Sequence, residues 1–545
     1  MLPENQNLAS RIDNPPADGG FRKILTPLGC SLSAFGVVLT LLFIRTILLI
    51  FPLRERLYAQ IPDDAFYYLV LARNHAAHGA WTFDGVAPAT GFHLLLGYLL
   101  SFMYSTHQNI GFMEVFVVSA IVNSLCIAAS AGIVAWLVVE LYGAAGVFGV
   151  GLVFLNSLII RQSTALMEAP LVIFCASVLW SSVFHPRLKF TRFRIALGIL
   201  AGFLGMMARS DFGLQAPILL ASAIAGRYAR RWSPEAALVA AWGLAGGIAG
   251  LGVVLAHSYS ISGHLFQSSA LIKRHWSTVN GYSMHPSVYL LTSLAEPYLA
   301  SVKVKRLVAH APILAAILWV DATRVKALVQ SSSLYPAVAA GLVIVGYVLF
   351  YSLNGDIQEW YCASLAVPLS LSLAALFSSI PHLNDPRVIA AAAVTAAIAL
   401  WTSVVPVWPW QKSMHDAGIF LRSLAPTTSV GAWNAGLISF FSERPVINLD
   451  GVVNDDLLEP IVSNRLANYV LDRRIDYILD FPTMLDAWHS RRGGYADGAL
   501  ASCLVSPRAL GDDRPENLWG QGVVTLFKVD RECLTNRIKA SDSAG

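Results

Sequence analysis

Cys30-Ser31-Leu32-Ser33-Ala34-Phe35-Gly36-Val37-Val38-Leu39-Thr40-Leu41-Leu42-Phe43-Ile44-Arg45-Thr46-Ile47-Leu48-Leu49-Ile50-Phe51 is an apolar run of bilayer length. About a dozen residues later comes Ile61-Pro62-Asp63-Asp64-Ala65-Phe66-Tyr67-Tyr68. The first stretch reads as a membrane-spanning helix, and the second places two adjacent carboxylates just beyond its end. Charge is expensive in hydrocarbon. A paired acid at the membrane boundary is therefore either solvated decoration or part of a site facing lipid head groups.

Composition extends the membrane reading to the whole chain. Of 545 residues, 55% are hydrophobic and 13% charged, whereas a soluble domain carries about 25% charged residues. Mean hydropathy is +0.57. Apolar runs of spanning length recur as far as Val405. Basic residues form short loop clusters and not a continuous stripe, which argues against a nucleic-acid partner. The first run is too long for a signal-peptide core and no small-residue cleavage pattern follows it, so it reads as a retained span.

Orientation follows from two loops, 185–194 and 226–231, which are basic and nearly free of acids. Both are expected to be cytoplasmic. Spans are then expected at 32–51, 114–137, 144–160, 170–184, 195–208, 212–225, 236–257, 334–353, 362–379 and 388–405. The stretch 284–319 must add an odd number of crossings, giving about eleven spans, with two more as the upper bound. The apolar stretch 91–104 is too short to span and is expected to be juxtamembrane or re-entrant inside a first outer loop, 52–111.

The expected fold is mainly α. A cytoplasmic tail, 1–29, leads into a polytopic transmembrane helical bundle, 30–407, and a small extracytoplasmic α/β domain, 408–545, follows. In that last part, strands are expected at 428–433, 446–449 and 476–479, with a helix at 435–442. Cys503 and Cys533 fall in it, and outside the cytoplasm they are a plausible disulfide.

Several residues could carry chemistry. The plainer reading of Asp63 and Asp64 is an N-cap at a helix start, but a cap needs one acid and here there are two. An ionised carboxylate there suits a general base. Glu168 sits in a short connection between spans, on the same side as Asp63 and Asp64. Arg209-Ser210-Asp211 interrupts an apolar stretch and reads either as a local ion pair or as a phosphate fork. Lys273 and Arg274 are cations on the outer side, against the orientation bias, and suit a lipid phosphate or anionic head groups. Glu359-Trp360-Tyr361 opens a late span, where aromatics are more often interfacial. His75 and His78 have a spacing common on solvated helix faces, so a metal site there is the weaker reading. No Gly-rich phosphate loop, nucleophile elbow or zinc signature is present.

Taken in order, these segments resemble bacterial members of glycosyltransferase superfamily C, integral membrane enzymes that use polyprenyl-phosphate sugars, of the protein mannosyltransferase and aminoarabinose transferase type. The resemblance rests on Asp63-Asp64-Ala65-Phe66-Tyr67-Tyr68, Ala72-Arg73-Asn74, Phe83-Asp84-Gly85, Gly91-Phe92-His93, Leu166-Met167-Glu168, Ala208-Arg209-Ser210-Asp211 and the 269–273 segment. Gly431-Ala432-Trp433-Asn434-Ala435-Gly436 and Val446-Ile447-Asn448-Leu449-Asp450-Gly451 look like the outer domain of one such group. Thr90 and Leu94 stand where members often carry Asn and Pro.

The resemblance implies a bacterial inner-membrane enzyme with a cytoplasmic N-terminus that moves sugar to a cell-envelope acceptor on the outer face, with inversion. It implies Asp63 as general base, Asp64 sharing or orienting, and Glu168 as a second acid. His93, Arg209, Asp211, Lys273, Arg274, Glu359 and Tyr361 are then expected substrate contacts. The partners would be a polyprenyl-phosphate donor, membrane lipids, and a glycan, lipid or protein acceptor. No cofactor is named with certainty by the resemblance, and metal dependence stays open, since the paired acids could hold a divalent cation. The competing readings are a flippase for lipid-linked glycans and a non-catalytic envelope assembly protein; transporters place polar groups nearer the bilayer midplane.

Overall fold

The Thr26 hydroxyl accepts from the Gly29 N–H at 3.0 Å, and Pro27 occupies the first turn, so helix α1 (Pro27–Ile50) starts where the apolar run does. The structure is a computed structural model that describes residues 26–51, 53, 57–107, 110–280, 321–354, 358–380, 396–511 and 522–544. Among these, five helices are long and apolar enough to cross a membrane: α1, α4 (Phe112–Tyr142), α8 (Thr191–Ala208), α10 (Pro234–Ser262) and Leu334–Tyr351. The chain is a multi-pass membrane protein. The expected crossings within 284–319 lie outside the described residues, as does part of the 388–405 span.

Other expected spans are shorter or broken, for local reasons. The 144–160 run divides at Asn156, whose side chain accepts from the Leu158 N–H at 2.9 Å and so ends α5 (Val147–Phe154) and starts α6 (Ser157–Gln162). The 170–184 run is α7 (Ala169–Phe184), and 212–225 is a turn, Ser210–Leu214, leading into α9 (Gln215–Tyr228). The 362–379 run splits into Glu359–Ala363 and Ala366–Ser378.

Without a hydrophobic drive between helices in lipid, close approach depends on small residues. A methyl group on Gly202 would lie 2.1 Å from the Gly243 carbonyl oxygen, so the α8–α10 crossing is closed to any side chain there.

The loop before α4 holds α2 (Asp63–His78) and α3 (Leu94–Thr106), joined through Phe83-Asp84-Gly85 as expected. Asp84 Oδ1 accepts from the Val86 and Ala87 N–H groups at 2.9 and 2.8 Å and so shapes the turn. Helix α3 has 13 residues, too few to span. His75 stacks on Trp81 at 4.0 Å and its Nδ1 lies 2.7 Å from Ser101 Oγ, which makes it a packing residue of this pair.

The C-terminal part is a five-stranded sheet in the order β2-β1-β3-β5-β4, comprising β1 (Val430–Ala432), β2 (Ile447–Asn448), β3 (Tyr477–Asp480), β4 (Leu504–Ala509) and β5 (Thr525–Val529). The first three strands are parallel, with Gly431 against Ile447 and Ile478. Strand β5 pairs antiparallel with both β3 and β4. Helix Ala435–Ser442 follows β1 as expected. The Cys503–Cys533 disulfide joins the start of β4 to the last helix, Arg531–Ala544.

This sheet unit is seated on the α2–α3 loop. Thr90 donates from Oγ1 to Asp455 Oδ2 at 2.6 Å and from its N–H to Oδ1 at 3.0 Å. Arg473 pairs with Asp84 at 2.5 Å. Gly91 passes so close to Val452 that a methyl group there would lie 1.6 Å from its carbonyl oxygen.

Candidate active site

Asp63 and Asp64 both fall in the first turn of α2, where the helix dipole favours negative charge. Adjacent helical positions point about 100° apart, and here the two acids separate. Asp63 accepts from the N–H groups of Leu437 at 2.6 Å and Gly436 at 3.3 Å, capping helix Ala435–Ser442 of the C-terminal part. Burial pushes its carboxyl up to about 7. The two N–H bonds oppose that shift, and Asp64 and Asp480 reinforce it. Asp64 instead lines a cavity of about 340 Å³.

Of the residues singled out in the sequence, Asp64, His93, Glu168, Arg209, Asp211, Lys273, Arg274 and Tyr361 all line that cavity. Asp63 does not, and the side chain of Glu359 lies outside the described residues. The remaining wall is largely apolar and aromatic, including Phe92, Met167, Phe266, Leu271, Phe350 and Trp360.

Glu168 is the residue immediately before α7, and the chain reaches it through Leu166 at φ 56°. Positive φ is costly for a branched side chain and persists where the surroundings enforce it. The Glu168 carboxylate is buried, with one bond to each oxygen: Arg209 Nη1 donates to Oε1 at 3.1 Å and Tyr68 Oη to Oε2 at 3.3 Å. Arg209 also forks onto Asp211, with bonds of 3.1 and 2.7 Å, and donates to Tyr351 Oη at 2.9 Å. Its guanidinium carbon lies 4.4 Å from the centre of the Tyr361 ring. Burial alone would lower the Arg209 guanidinium, but Asp211, Tyr351 and Glu168 hold it well above its ordinary value. Sequence reading allowed a local ion pair or a phosphate fork here. The observed arrangement is a buried ion-pair network with one cation and two acids.

Lys273 comes from α11 (Ser268–Asn280) and donates to Tyr361 Oη at 2.6 Å. Helix α11 is held by Ser268 Oγ donating to the Val452 carbonyl at 3.0 Å and by Gln267 donating to the Phe92 carbonyl. His93 Nε2 is 3.6 Å from Glu168 Oε1, but burial and Arg209 keep the ring below its ordinary pKa against the pull of Glu168. Lys273 and Arg274 therefore supply positive charge beyond that committed to the Arg209 network. Among the described residues no three His, Cys, Asp or Glu side chains converge as they would on a metal ion.

Tyr68 and Tyr351 were missed as site residues. Tyr68 was legible only as part of the Asp63–Tyr68 motif, since period and burial do not announce a hydroxyl's partner. Tyr351 sits in an apolar run where a tyrosine ordinarily reads as belt or packing.

No curated protein matches the chain. A family model described as a domain of unknown function, DUF8728, matches residues 407–515. Two crystal structures of ArnT from Cupriavidus metallidurans resemble most of the chain. The one bound to undecaprenyl phosphate has a TM-score of 0.58 at 13% identity, covering 93% of this chain and 99% of that one. The apo structure has a TM-score of 0.54 at 13% identity, covering 90% and 98%. At that identity the likeness speaks to fold: the chain resembles the ArnT structures in fold over the shares covered.

Proposed function

We propose that the protein is a membrane glycosyltransferase that takes a sugar from a polyprenyl-phosphate donor and passes it to a hydroxyl of a cell-envelope acceptor. The observation that carries this reading is the cavity itself. Asp64, Lys273 and Arg274 all line it, together with His93, the Glu168–Arg209–Asp211 network and many apolar and aromatic side chains. A lipid phosphate needs cations for its head and apolar surface for its first isoprene units. An acceptor hydroxyl needs a carboxylate. That the similarly folded ArnT binds undecaprenyl phosphate supports the same class of ligand here.

In the proposed reaction the acceptor oxygen attacks the anomeric carbon from the face opposite the phosphate. As the new C–O bond forms, the C–O bond to phosphate breaks and Asp64 takes the hydroxyl proton, so the anomeric centre inverts. The polyprenyl phosphate leaves as an anion that Lys273 and Arg274 neutralise, with the Arg209 network beside them. Glu168 is already engaged by Arg209 and Tyr68, so its proposed role is to orient sugar and cation, not to accept the proton. Relative to the sequence reading, the general base moves from Asp63 to Asp64. The reaction would take place at the outer face of the bacterial inner membrane, with the C-terminal domain extracytoplasmic, as the basic loops imply.

The test is lipid binding. Native mass spectrometry of the purified protein with undecaprenyl phosphate is expected to show a bound lipid, lost in Lys273→Ala/Arg274→Ala. Equal binding by the double variant would remove the phosphate from this cavity.

A further inference from the structure

Arg45 lies in α1, in the middle of an apolar run, and is 0% exposed. A buried arginine brings five donors that need acceptors. Among the described residues none of its partners is a carboxylate. Nε and Nη2 donate to the Ser403 carbonyl at 3.3 and 3.1 Å, Nη2 also donates to Gln60 Oε1 at 3.1 Å, and Nη1 donates to Thr164 Oγ1.

The partners are the roots of the site. Gln60 precedes Asp63 and Asp64, and its Nε2 donates onward to the Val405 carbonyl at 2.6 Å. Thr164 precedes Leu166 and Glu168. Ser403 precedes the segment that enters the C-terminal part, where the N–H groups of Val407 and Trp408 return to the Ala59 carbonyl at 2.9 and 3.0 Å. One guanidinium thus joins three backbone segments that are far apart in sequence, and two of them deliver acids to the cavity.

Stability alone does not explain the choice. A buried charge satisfied by neutral oxygens is commonly no more stabilising than a packed apolar residue. What an arginine adds is geometry, because its planar fork fixes several partners at once, which a lysine cannot reproduce.

We propose that Arg45 is a positioning residue that sets the spacing of Asp64 and Glu168 across the cavity by tying together the segments that carry them. The inference rests on the glycosyl-transfer reading for its catalytic consequence, but not for the tie itself.

The test uses the full-length protein in lipid nanodiscs as wild type, Arg45→Lys, Arg45→Gln, Thr164→Val and Arg45→Gln/Thr164→Val. In Arg45→Gln, kcat for sugar transfer should fall roughly 100-fold with donor KM within about twofold, since ångström-scale misplacement costs rate and leaves the phosphate contacts intact. Arg45→Lys should recover part of the rate. The double variant should be no slower than Arg45→Gln alone, because both changes cut the same tie.

Amide hydrogen exchange supplies a readout that needs no activity. Arg45→Gln should raise exchange in 57–64 and 161–168 and leave β4 and β5 at wild-type protection. Wild-type kcat in Arg45→Gln would overturn the proposal. So would unchanged exchange in both segments, or a rise spread over the whole chain. If the wild type transfers no sugar, the glycosyl-transfer reading fails separately, and exchange still decides whether Arg45 holds the two segments.

Discussion

The Asp63 carboxylate accepts from the Leu437 N–H at 2.6 Å, which binds the first turn of α2 to the start of a helix in the C-terminal part. Its neighbour Asp64 is left facing the cavity. The pair therefore divides two tasks that one sequence motif suggests together. Asp63→Ala leaves the Gly436 and Leu437 N–H groups without their cap and should cost about 1–2 kcal/mol of stability. Thermal unfolding in detergent is expected to shift down by a few degrees, with transfer activity kept within about tenfold of wild type. An unshifted midpoint would mean that the cap contributes nothing.

Arg209 is the single cation between Glu168 and Asp211 among the contacts described for that network. Replacing it by Met leaves two buried carboxylates uncompensated, a change that typically costs about 3–5 kcal/mol. Arg209→Met is expected to lower the yield of monodisperse protein on size exclusion and to abolish transfer. Arg209→Met/Glu168→Gln/Asp211→Asn should regain folding without regaining activity. Failure of the triple variant to regain folding would show that more than charge compensation is lost.

Stability should depend on pH through Asp450. Burial pushes its carboxyl up to about 7, the Val452 N–H opposes the shift and Asp64 reinforces it. The folded state then holds this proton between about pH 4 and 7 while the unfolded chain does not, so the contribution is lost as pH rises through that window. Asp63 and Asp480, pushed by burial up to about 7 and about 6, add slope of the same sign. Burial lowers His93 and His489, whose contributions are lost as pH falls below about 6.5, so the raw slope mixes both signs. The check is the difference in unfolding midpoint between Asp450→Asn and wild type. It should grow in favour of the variant from pH 4 to 7 and then level off. A pH-independent difference would contradict the raised carboxyl.

The Cys503–Cys533 disulfide closes a loop with a sequence separation of 30 residues. Chain-entropy arguments give a loop of that size about 3–4 kcal/mol of stabilisation. Reduction is expected to lower the unfolding midpoint of the C-terminal part and to expose β4 to proteolysis. Mass spectrometry after alkylation without reductant should show neither cysteine alkylated and the two peptides still cross-linked. Free thiols in protein purified from the native membrane would refute the pairing.

Much of this arrangement is legible in the sequence where one local rule governs. Spanning helices follow from apolar length, and α2 from the acids at its start. Strands β1 to β3 follow from short apolar runs between turn residues. Strand β4 is not legible because it is largely exposed and carries Pro507, so no alternating pattern marks it. The break at Asn156 is a capping decision within an apolar run, where hydropathy dominates the reading. Which of Asp63 and Asp64 faces the cavity depends on the C-terminal part docking against α2, a contact between residues separated by most of the chain. Arg45 is visible as a charge in a span, but its partners lie in segments that only the fold assembles.

The central claim is that Asp64 deprotonates the acceptor while Lys273 and Arg274 hold the donor phosphate. It is tested most directly by sugar transfer from a panel of polyprenyl-phosphate sugars to a membrane glycan extract, using purified wild type, Asp64→Asn and Asp63→Asn. The account predicts transfer by wild type, a loss of at least about 100-fold in Asp64→Asn with undecaprenyl phosphate still bound, and substantial transfer by Asp63→Asn. Equal transfer by wild type and Asp64→Asn would contradict it.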